Sequence, residues 1–194
     1  MRLNQLRQIR KRYFGYEELA RVLGIAPASA RVAANRFVSQ GLLVRIKRNM
    51  YMLRDVWQAA GREEVFAIAN LVQVPSYISL TTALDYYDIT TQMQRDYYES
   101  VATVRTKKVD VEGTVFRYTR IAPRLYSGFR REKGFFIATP EKALVDAFYL
   151  MSLGRYALDV SALDDTRLDL KGLKAASRDC PEKTRKLMRT HGYL

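Results

Sequence analysis

The stretch from Leu23 to Leu53, "LGIAPASARVAANRFVSQGLLVRIKRNMYML", carries the pattern that decides the fold of the first third of the chain. Gly24 follows an apolar segment and predicts the left-handed residue at a helix end, whereas Pro27 is typical of the first turn of a new helix. Gly41 ends that helix. The residues after it read as a β-hairpin with its tip at "KRN", because Asn tolerates the positive φ of such a turn.

The helix predicted after Pro27 has two different faces. Small and apolar residues recur with helical spacing and predict a buried stripe of Ala30, Ala33, Ala34 and Phe37. The other side carries Ser29, Arg31, Val32, Asn35 and Arg36. Arginine pairs bidentately with guanine and asparagine with adenine, so this row could read DNA bases. Val32 could contact a thymine methyl group or be an ordinary surface valine, and the arginines could equally form a solvated helix face.

Two helical segments are predicted before Leu23. Residues 4–13, "NQLRQIRKRY", place Leu6, Ile9 and Tyr13 on one helix face, and residues 16–23, "YEELARVL", begin with two acids that favour a helix N-terminus. The order of elements predicts a winged helix-turn-helix domain: two helices, a glycine-containing turn, a third helix and a hairpin. Its basic residues outside the recognition helix would contact phosphate or the minor groove, namely Lys47, Arg48 and Asn49 at the tip and some of Arg7, Arg10, Lys11 and Arg12.

The charge distribution also points to an anionic partner. The 194 residues carry a net charge of +13, and residues 1–58 hold 12 Lys and Arg against 3 Asp and Glu, a net charge of +9. This asymmetry predicts an anion-binding domain at residues 1–58 and a more neutral domain at residues 59–194. The sequence shows no apolar run of membrane-spanning length and no secretory signal, and its single cysteine excludes an internal disulfide. We therefore expect a cytoplasmic protein.

The second part of the chain predicts an α+β domain. Four runs rich in β-branched and aromatic residues predict a small, mostly antiparallel sheet: "YYESVATVRT", "GTVFRYTRI", "RLYSGF" and "GFFIAT". Ser79 is predicted to cap a short helix that follows it. The segment "ATPEKALVDAFYLMSLG" predicts a longer helix capped by Thr139 and ended by Gly154, and helices are expected again toward the C-terminus.

Catalytic patterns are weak. His191 and Cys180 are a poor basis for a zinc site, and there is no glycine-rich phosphate loop. Cys180 at a helix start could have a lowered pKa, but an idle buried cysteine is commoner. Asp110 and Glu112 could share a strand face, although their place beside a turn glycine is typical of a solvated hairpin end. We expect no catalytic residues, no metal and no cofactor.

Beyond the N-terminal pattern, residues 77–90, "YISLTTALDYYDIT", and residues 135–150, "FFIATPEKALVDAFYL", resemble the AbiEi family of transcriptional regulators, the antitoxins of type IV toxin–antitoxin systems. The family usually reads something like "ATPERTLVDLL" in the second segment. It usually has glycine in its wing, where this chain has Asn49. It often has a His-Gly pair where this chain has Tyr87 and Asp88.

The resemblance implies a repressor that binds inverted repeats in double-stranded DNA upstream of its own operon, which would place two copies, a dimer, on DNA. It also implies that the C-terminal domain counteracts a nucleotidyltransferase-like toxin without requiring a stable complex. The alternative hypothesis is a protein-interaction module, in which the winged-helix scaffold and its basic surface dock an acidic partner without recognising an operator.

Overall fold

The computed structural model describes residues 5–92 and 95–194, which divide into two compact units, one ending at Val65 and one beginning at Phe66. The domain boundary between residues 58 and 59 stays a prediction. The first unit contains α1 (Tyr16–Leu23), α2 (Pro27–Ser39), β1 (Leu43–Lys47), β2 (Met50–Leu53), α3 (Arg54–Gln58) and the start of α4 (Arg62–Val72).

Helices α1 and α2 form as their sequences predict. Gly24 ends α1 with φ of 63°, and its backbone N–H donates to the carbonyl oxygen of Ala20. Pro27 occupies the first turn of α2. The predicted stripe of Ala30, Ala33, Ala34 and Phe37 is buried, and it packs in one apolar cluster with residues of α1 and the hairpin. Because the three alanines are small, the helices can approach closely along this stripe.

Strands β1 and β2 form the predicted hairpin. They pair antiparallel from Leu43 opposite Leu53, and a bulge shifts the register between Arg45 and Lys47. Asn49 takes a left-handed conformation with φ of 54°, as the turn chemistry predicts.

The N-terminal segment differs from its prediction. The helical turn ends at Leu6, and residues 9–14 are not helical, so the helix predicted over residues 4–13 is wrong beyond this turn. Phe14 is held in extended form because its backbone N–H and carbonyl pair with those of Tyr51 at 3.0 and 2.9 Å. Leu6 and Ile9 are buried, but Tyr13 is exposed. Burial of apolar side chains does not require a continuous helix here.

Within the described part of the second unit, six strands form one sheet in the order β5-β6-β4-β3-β8-β7. Its strands are β3 (Ser76–Ile78), β4 (Tyr97–Ala102), β5 (Lys107–Val111), β6 (Thr114–Arg120), β7 (Phe129–Glu132) and β8 (Phe135–Ala138). Its α-helices are the remainder of α4, α5 (Leu80–Tyr86), α6 (Pro140–Ser152), α7 (Leu170–Ala176) and α8 (Glu182–Thr190).

The sheet is larger and more mixed than the small, mostly antiparallel sheet predicted. Strands β4 and β6 pair in parallel, as do β3 and β8, whereas the other neighbours pair antiparallel. Parallel pairs require crossover connections, and no local turn signal reveals them. The aromatic rings of Phe66, Tyr98 and Phe135 pack edge to face in the core of this unit, with centroids 5.2–5.7 Å apart.

Candidate nucleic-acid interface

The outward face of α2 carries the predicted base-reading row. Its five residues are all exposed: Ser29, Arg31, Val32, Asn35 and Arg36. Arg31 and Asn35 lie one helical turn apart, and within the described residues neither side chain has an intramolecular hydrogen bond. The Arg36 guanidinium lies 5.7 Å from the ring centroid of Phe37. The buried stripe on the opposite face fixes which side of α2 points outward.

The hairpin tip contains residues with two different roles. Lys47 and Arg48 are exposed, as a phosphate-contacting tip requires. Asn49 is only half-buried, but its side chain is engaged inside the molecule. Its amide oxygen accepts from the backbone N–H of Tyr16 at 2.8 Å, and its amide nitrogen donates to both carboxylate oxygens of Glu17, at 3.1 and 3.0 Å. Asn49 therefore anchors the tip to the start of α1, and its contact with DNA stays a prediction.

We call Asn49, Tyr16, Glu17 and Gly15 the tip clamp. A Cβ atom at Gly15 would lie 2.4 Å from a carboxylate oxygen of Glu17 and 3.1 Å from each terminal atom of the Asn49 amide. A side chain at Gly15 would displace the Glu17 carboxylate from this arrangement. The hydrogen bond from Asn49 holds the pKa of the Glu17 carboxyl below its usual value, because it stabilises the charged form.

The predicted N-terminal basic residues lie on the irregular segment before α1. Arg10 is exposed. Lys11 forms an ion pair with Glu18 at 3.4 Å, and Arg12 forms one with Glu64. Hydrogen bonds from Arg21, and secondarily from Lys11, lower the pKa of Glu18. Exposed ion pairs contribute little to stability, so these cations could exchange a carboxylate for a phosphate.

The eleven predicted site residues therefore all lie in the first unit, ten of them exposed and Asn49 half-buried. Sequence reasoning missed Glu17 as the partner of Asn49. The available signal was the left-handed tip residue itself, since an asparagine in that conformation often uses its short side chain locally.

A second arrangement that sequence reasoning missed is a buried polar network in the second unit. Lys142 and Asp146, only 2% and 1% exposed, form an ion pair one turn apart on α6. Asp146 also accepts hydrogen bonds from the hydroxyls of Tyr77 at 2.9 Å and Ser79 at 2.8 Å. The two segments that carry the family resemblance are therefore joined through this carboxylate.

The network corrects the role predicted for Ser79. Ser79 does stand at the N-cap position of α5, but its hydroxyl donates to Asp146 and makes no capping bond. Thr139, in contrast, caps α6 as predicted, with its hydroxyl accepting from the backbone N–H of Lys142 at 3.3 Å.

Among the groups considered for catalysis, the structure characterises the thiol of Cys180. Cys180 is buried, and burial raises the pKa of its thiol to about 11, opposite to the lowering that a reactive thiolate needs. Among residues 5–92 and 95–194, no group of three or more His, Cys, Asp or Glu side chains could hold a metal ion. No helix in that part of the chain is long and apolar enough to cross a membrane.

Comparison with solved structures supports the architecture. The crystal structure of RV2827C protein from Mycobacterium tuberculosis matches with a TM-score of 0.59, covering 98% of this chain and 75% of that one. The sequences are 15% identical, so this likeness concerns the fold alone.

Comparison at the sequence level finds a family match in the first unit. No curated protein sequence matches significantly. Residues 1–54, which include α1, α2 and the hairpin, match the family model described as transcriptional regulator, AbiEi antitoxin. Such regulators bind DNA as part of a toxin–antitoxin system. The resemblance to the AbiEi family of antitoxin transcriptional regulators is therefore confirmed over residues 1–54.

Proposed function

We propose that this protein is a sequence-specific DNA-binding repressor of its own operon, built on an N-terminal winged helix-turn-helix domain. The observation that carries the proposal is the exposed row on α2, which is backed by a completely buried alanine and phenylalanine stripe. A helix held in this way can enter the major groove, which is about 12 Å wide, without losing its own packing.

Different residues would supply specificity and affinity. Arg31, Asn35 and Arg36 face outward and would hydrogen-bond base edges, at roughly 1–3 kcal/mol of discrimination for each good bidentate pair. Lys47 and Arg48 at the tip, with the N-terminal cations, would contact phosphates. Phosphate contacts raise affinity and salt dependence but carry no sequence information.

We further propose that the protein acts in the cytoplasm as the antitoxin against a nucleotidyltransferase-like toxin. Inverted repeats in the operator would bring two copies together on DNA. The match over residues 1–54 supports the regulatory role, and the second unit would supply the antitoxin activity without catalysis and without a stable toxin complex.

The first experiment is a fluorescence-anisotropy titration at near-physiological salt. The full chain is titrated against a duplex from upstream of its own gene and against a scrambled duplex of equal length. We expect binding at least about tenfold tighter to the native duplex, a difference of one to two base contacts. Arg31→Ala/Arg36→Ala should remove this preference.

A matched control removes two charges elsewhere. Lys183→Ala/Lys186→Ala, at exposed positions of α8, should keep the preference for the native duplex. Equal binding of wild-type protein to both duplexes, weakening together as salt rises, would refute base reading by α2 and favour the protein-docking alternative.

A further inference from the structure

Three segments of the second unit meet around Thr106, in the loop between β4 and β5. The Thr106 hydroxyl oxygen accepts from the backbone N–H of Arg120 at 2.9 Å and from the guanidinium of Arg155 at 3.2 Å. Arg155 also donates to the carbonyl oxygen of Arg120 at 3.3 Å. A further hydrogen bond holds this loop in place, because the buried Gln73 amide donates to the carbonyl oxygen of Arg105 at 3.0 Å.

We call Arg105, Arg120, Arg155 and Thr106 the arginine cluster. All four residues are exposed, and within the described chain none of the three arginines forms an ion pair with a carboxylate. Residues 59–168, which contain the cluster, have 14 Lys and Arg against 14 Asp and Glu. The missing carboxylates therefore reflect the local arrangement and not a general excess of positive charge.

The cluster offers hydrogen-bond donors only. Both acceptor positions of the Thr106 hydroxyl are occupied by N–H groups, so its remaining capacity is to donate. Guanidinium groups have no acceptor. The ligand that suits such a site is an oxyanion with several acceptor oxygens.

Exposed apolar residues flank the cluster residues in the sequence. Val104 precedes Arg105 and is 56% exposed, and Leu153 lies two residues before Arg155 and is 45% exposed. Val74 follows Gln73 and is 68% exposed. These surfaces could contact the sugar or base attached to an anionic group, which a free inorganic ion would not use.

We propose that the arginine cluster binds the phosphoryl group of a nucleotide, either a free nucleotide or a nucleotide unit of a nucleic-acid backbone. The Arg155 guanidinium lies at the Thr106 hydroxyl, and the exposed side chains of Arg105 and Arg120 start from backbone positions beside it. A phosphoryl group presents more acceptor oxygens than a carboxylate, so it suits a site that several arginines can reach. Binding of a free nucleotide here would be independent of base reading by α2. Binding of a nucleic-acid backbone here rests on the proposed function.

The test uses the full chain and two variants of equal charge. Arg120→Gln/Arg155→Gln removes two members of the cluster, and the control Arg131→Gln/Arg178→Gln removes two exposed arginines elsewhere in the same unit. Thr106→Val is a second, charge-neutral variant that removes the hydroxyl donor. Circular dichroism and thermal unfolding are used to check that each variant folds.

In the first arm, ATP and inorganic pyrophosphate are titrated by calorimetry, with side-chain Nε–H signals of arginine followed by NMR. A free-nucleotide site predicts binding that weakens about tenfold or more in the cluster variant, as loss of charge-assisted hydrogen bonds implies, and remains near wild type in the control. ATP should bind more tightly than pyrophosphate if the exposed apolar residues take part.

In the second arm, a random-sequence duplex is titrated at several salt concentrations. A backbone site predicts a log–log salt slope that is lower by about 0.9 in the cluster variant and unchanged in the control. The preference for operator over scrambled duplex should be the same in wild type and the cluster variant, because phosphate contacts carry no sequence information.

A loss in either arm that is confined to the cluster variants supports the site and identifies its source. Equal losses in cluster and control variants, or no effect in either arm, overturn it. The proposed function fails separately, through absence of operator preference in the wild-type chain, whatever the cluster variants do.

Discussion

Two non-glycine residues in the left-handed conformation show how single side chains replace a glycine in this fold. Asn49 turns the hairpin tip, and Asp88 ends α5 with φ of 56°. The backbone N–H of Ile89 donates to the carbonyl oxygen of Leu84 at 2.9 Å, and that of Asp88 to Asp85 at 3.0 Å, the pattern of a Schellman cap. Asp88 therefore adopts at this helix end the left-handed conformation for which glycine is usually used.

Asp88→Gly should therefore stabilise the protein. Glycine adopts the left-handed conformation without the steric cost of a Cβ, so we expect the free energy of unfolding to rise by about 0.5–1 kcal/mol. The 3.8 Å contact of Asp88 with Arg167 is exposed and contributes little. Urea unfolding measures the change. Asp88→Ala is the control and should destabilise, and a gain with alanine as large as with glycine would contradict the argument.

Asn49→Gly should change the pKa of Glu17 and the pH dependence of stability, because it removes the amide of the tip clamp. The depressed pKa of Glu17 means that its bonds with Asn49 contribute stability above the unfolded-state pKa, and that this contribution is lost as pH falls through the folded-state value. Glycine keeps the turn but removes the amide, so the Glu17 pKa should rise toward its usual value. NMR titration of the Glu17 carboxyl measures this shift.

Glycine also relieves the cost of a left-handed Cβ at this position, and that gain does not depend on pH. The stability of the variant relative to wild type should therefore increase as pH falls through the Glu17 titration, because wild type alone loses the contribution of the Glu17 bonds. Arg48→Ala, at the same tip, is the control and should leave the Glu17 pKa near its wild-type position. An unchanged Glu17 pKa in Asn49→Gly would show that the amide contact does not hold in solution.

At the scale of elements, predictability depended on whether a pattern was local. Helix α2 was predicted with its first-turn Pro27, its end before Gly41 and its buried stripe, because one side faces the core and the other faces water. Helix α6 is buried on nearly every side. Its sequence predicts a helix, but it does not predict that Lys142 and Asp146 form a buried ion pair. Their partners, Tyr77 and Ser79, are more than sixty residues away.

The same reasoning explains the sheet and the candidate site. Strands β4, β6 and β8 lie within runs that the sequence predicts as strands, whereas most of the predicted run "RLYSGF" forms a turn and loop before β7, and β3 lies in no predicted run. The parallel pairing of β4 with β6 has no local signal. The exposed positions on α2 follow from helical spacing. The commitment of Asn49 to Glu17 could not be predicted in the same way, because it depends on where α1 begins relative to the hairpin.

Asp146→Ala should be among the most destabilising changes in the second unit. It leaves the buried Lys142 ammonium without its counter-ion and the hydroxyls of Tyr77 and Ser79 without their acceptor, so we expect a loss of about 3–5 kcal/mol. Chemical denaturation measures it. Lys142→Met/Asp146→Leu, which removes both charges, should cost less than the single change. A loss below about 1 kcal/mol for Asp146→Ala would show that the network contributes little.

At the scale of the whole molecule, charge is concentrated where DNA contact is proposed. Residues 1–58 carry +9 of the net +13, and that segment contains both the row on α2 proposed to read bases and the basic tip. Long-range attraction to a polyanion depends on this total, whereas choice of sequence depends on a few outward side chains. Affinity and specificity should therefore respond differently to substitution within the same unit.

Arg48→Ala should lower affinity for DNA without changing sequence specificity. The tip arginine is exposed, and if it neutralises one phosphate its removal should weaken binding to operator and scrambled duplexes by the same factor. The slope of log affinity against log salt should fall by about 0.9 on both duplexes. Arg31→Ala, in contrast, should weaken operator binding selectively, by roughly 1–3 kcal/mol. Anisotropy titrations across a salt series measure both quantities. If Arg48→Ala reduced only operator binding, the tip would be reading sequence, and the division of roles between α2 and the hairpin would have to be reversed.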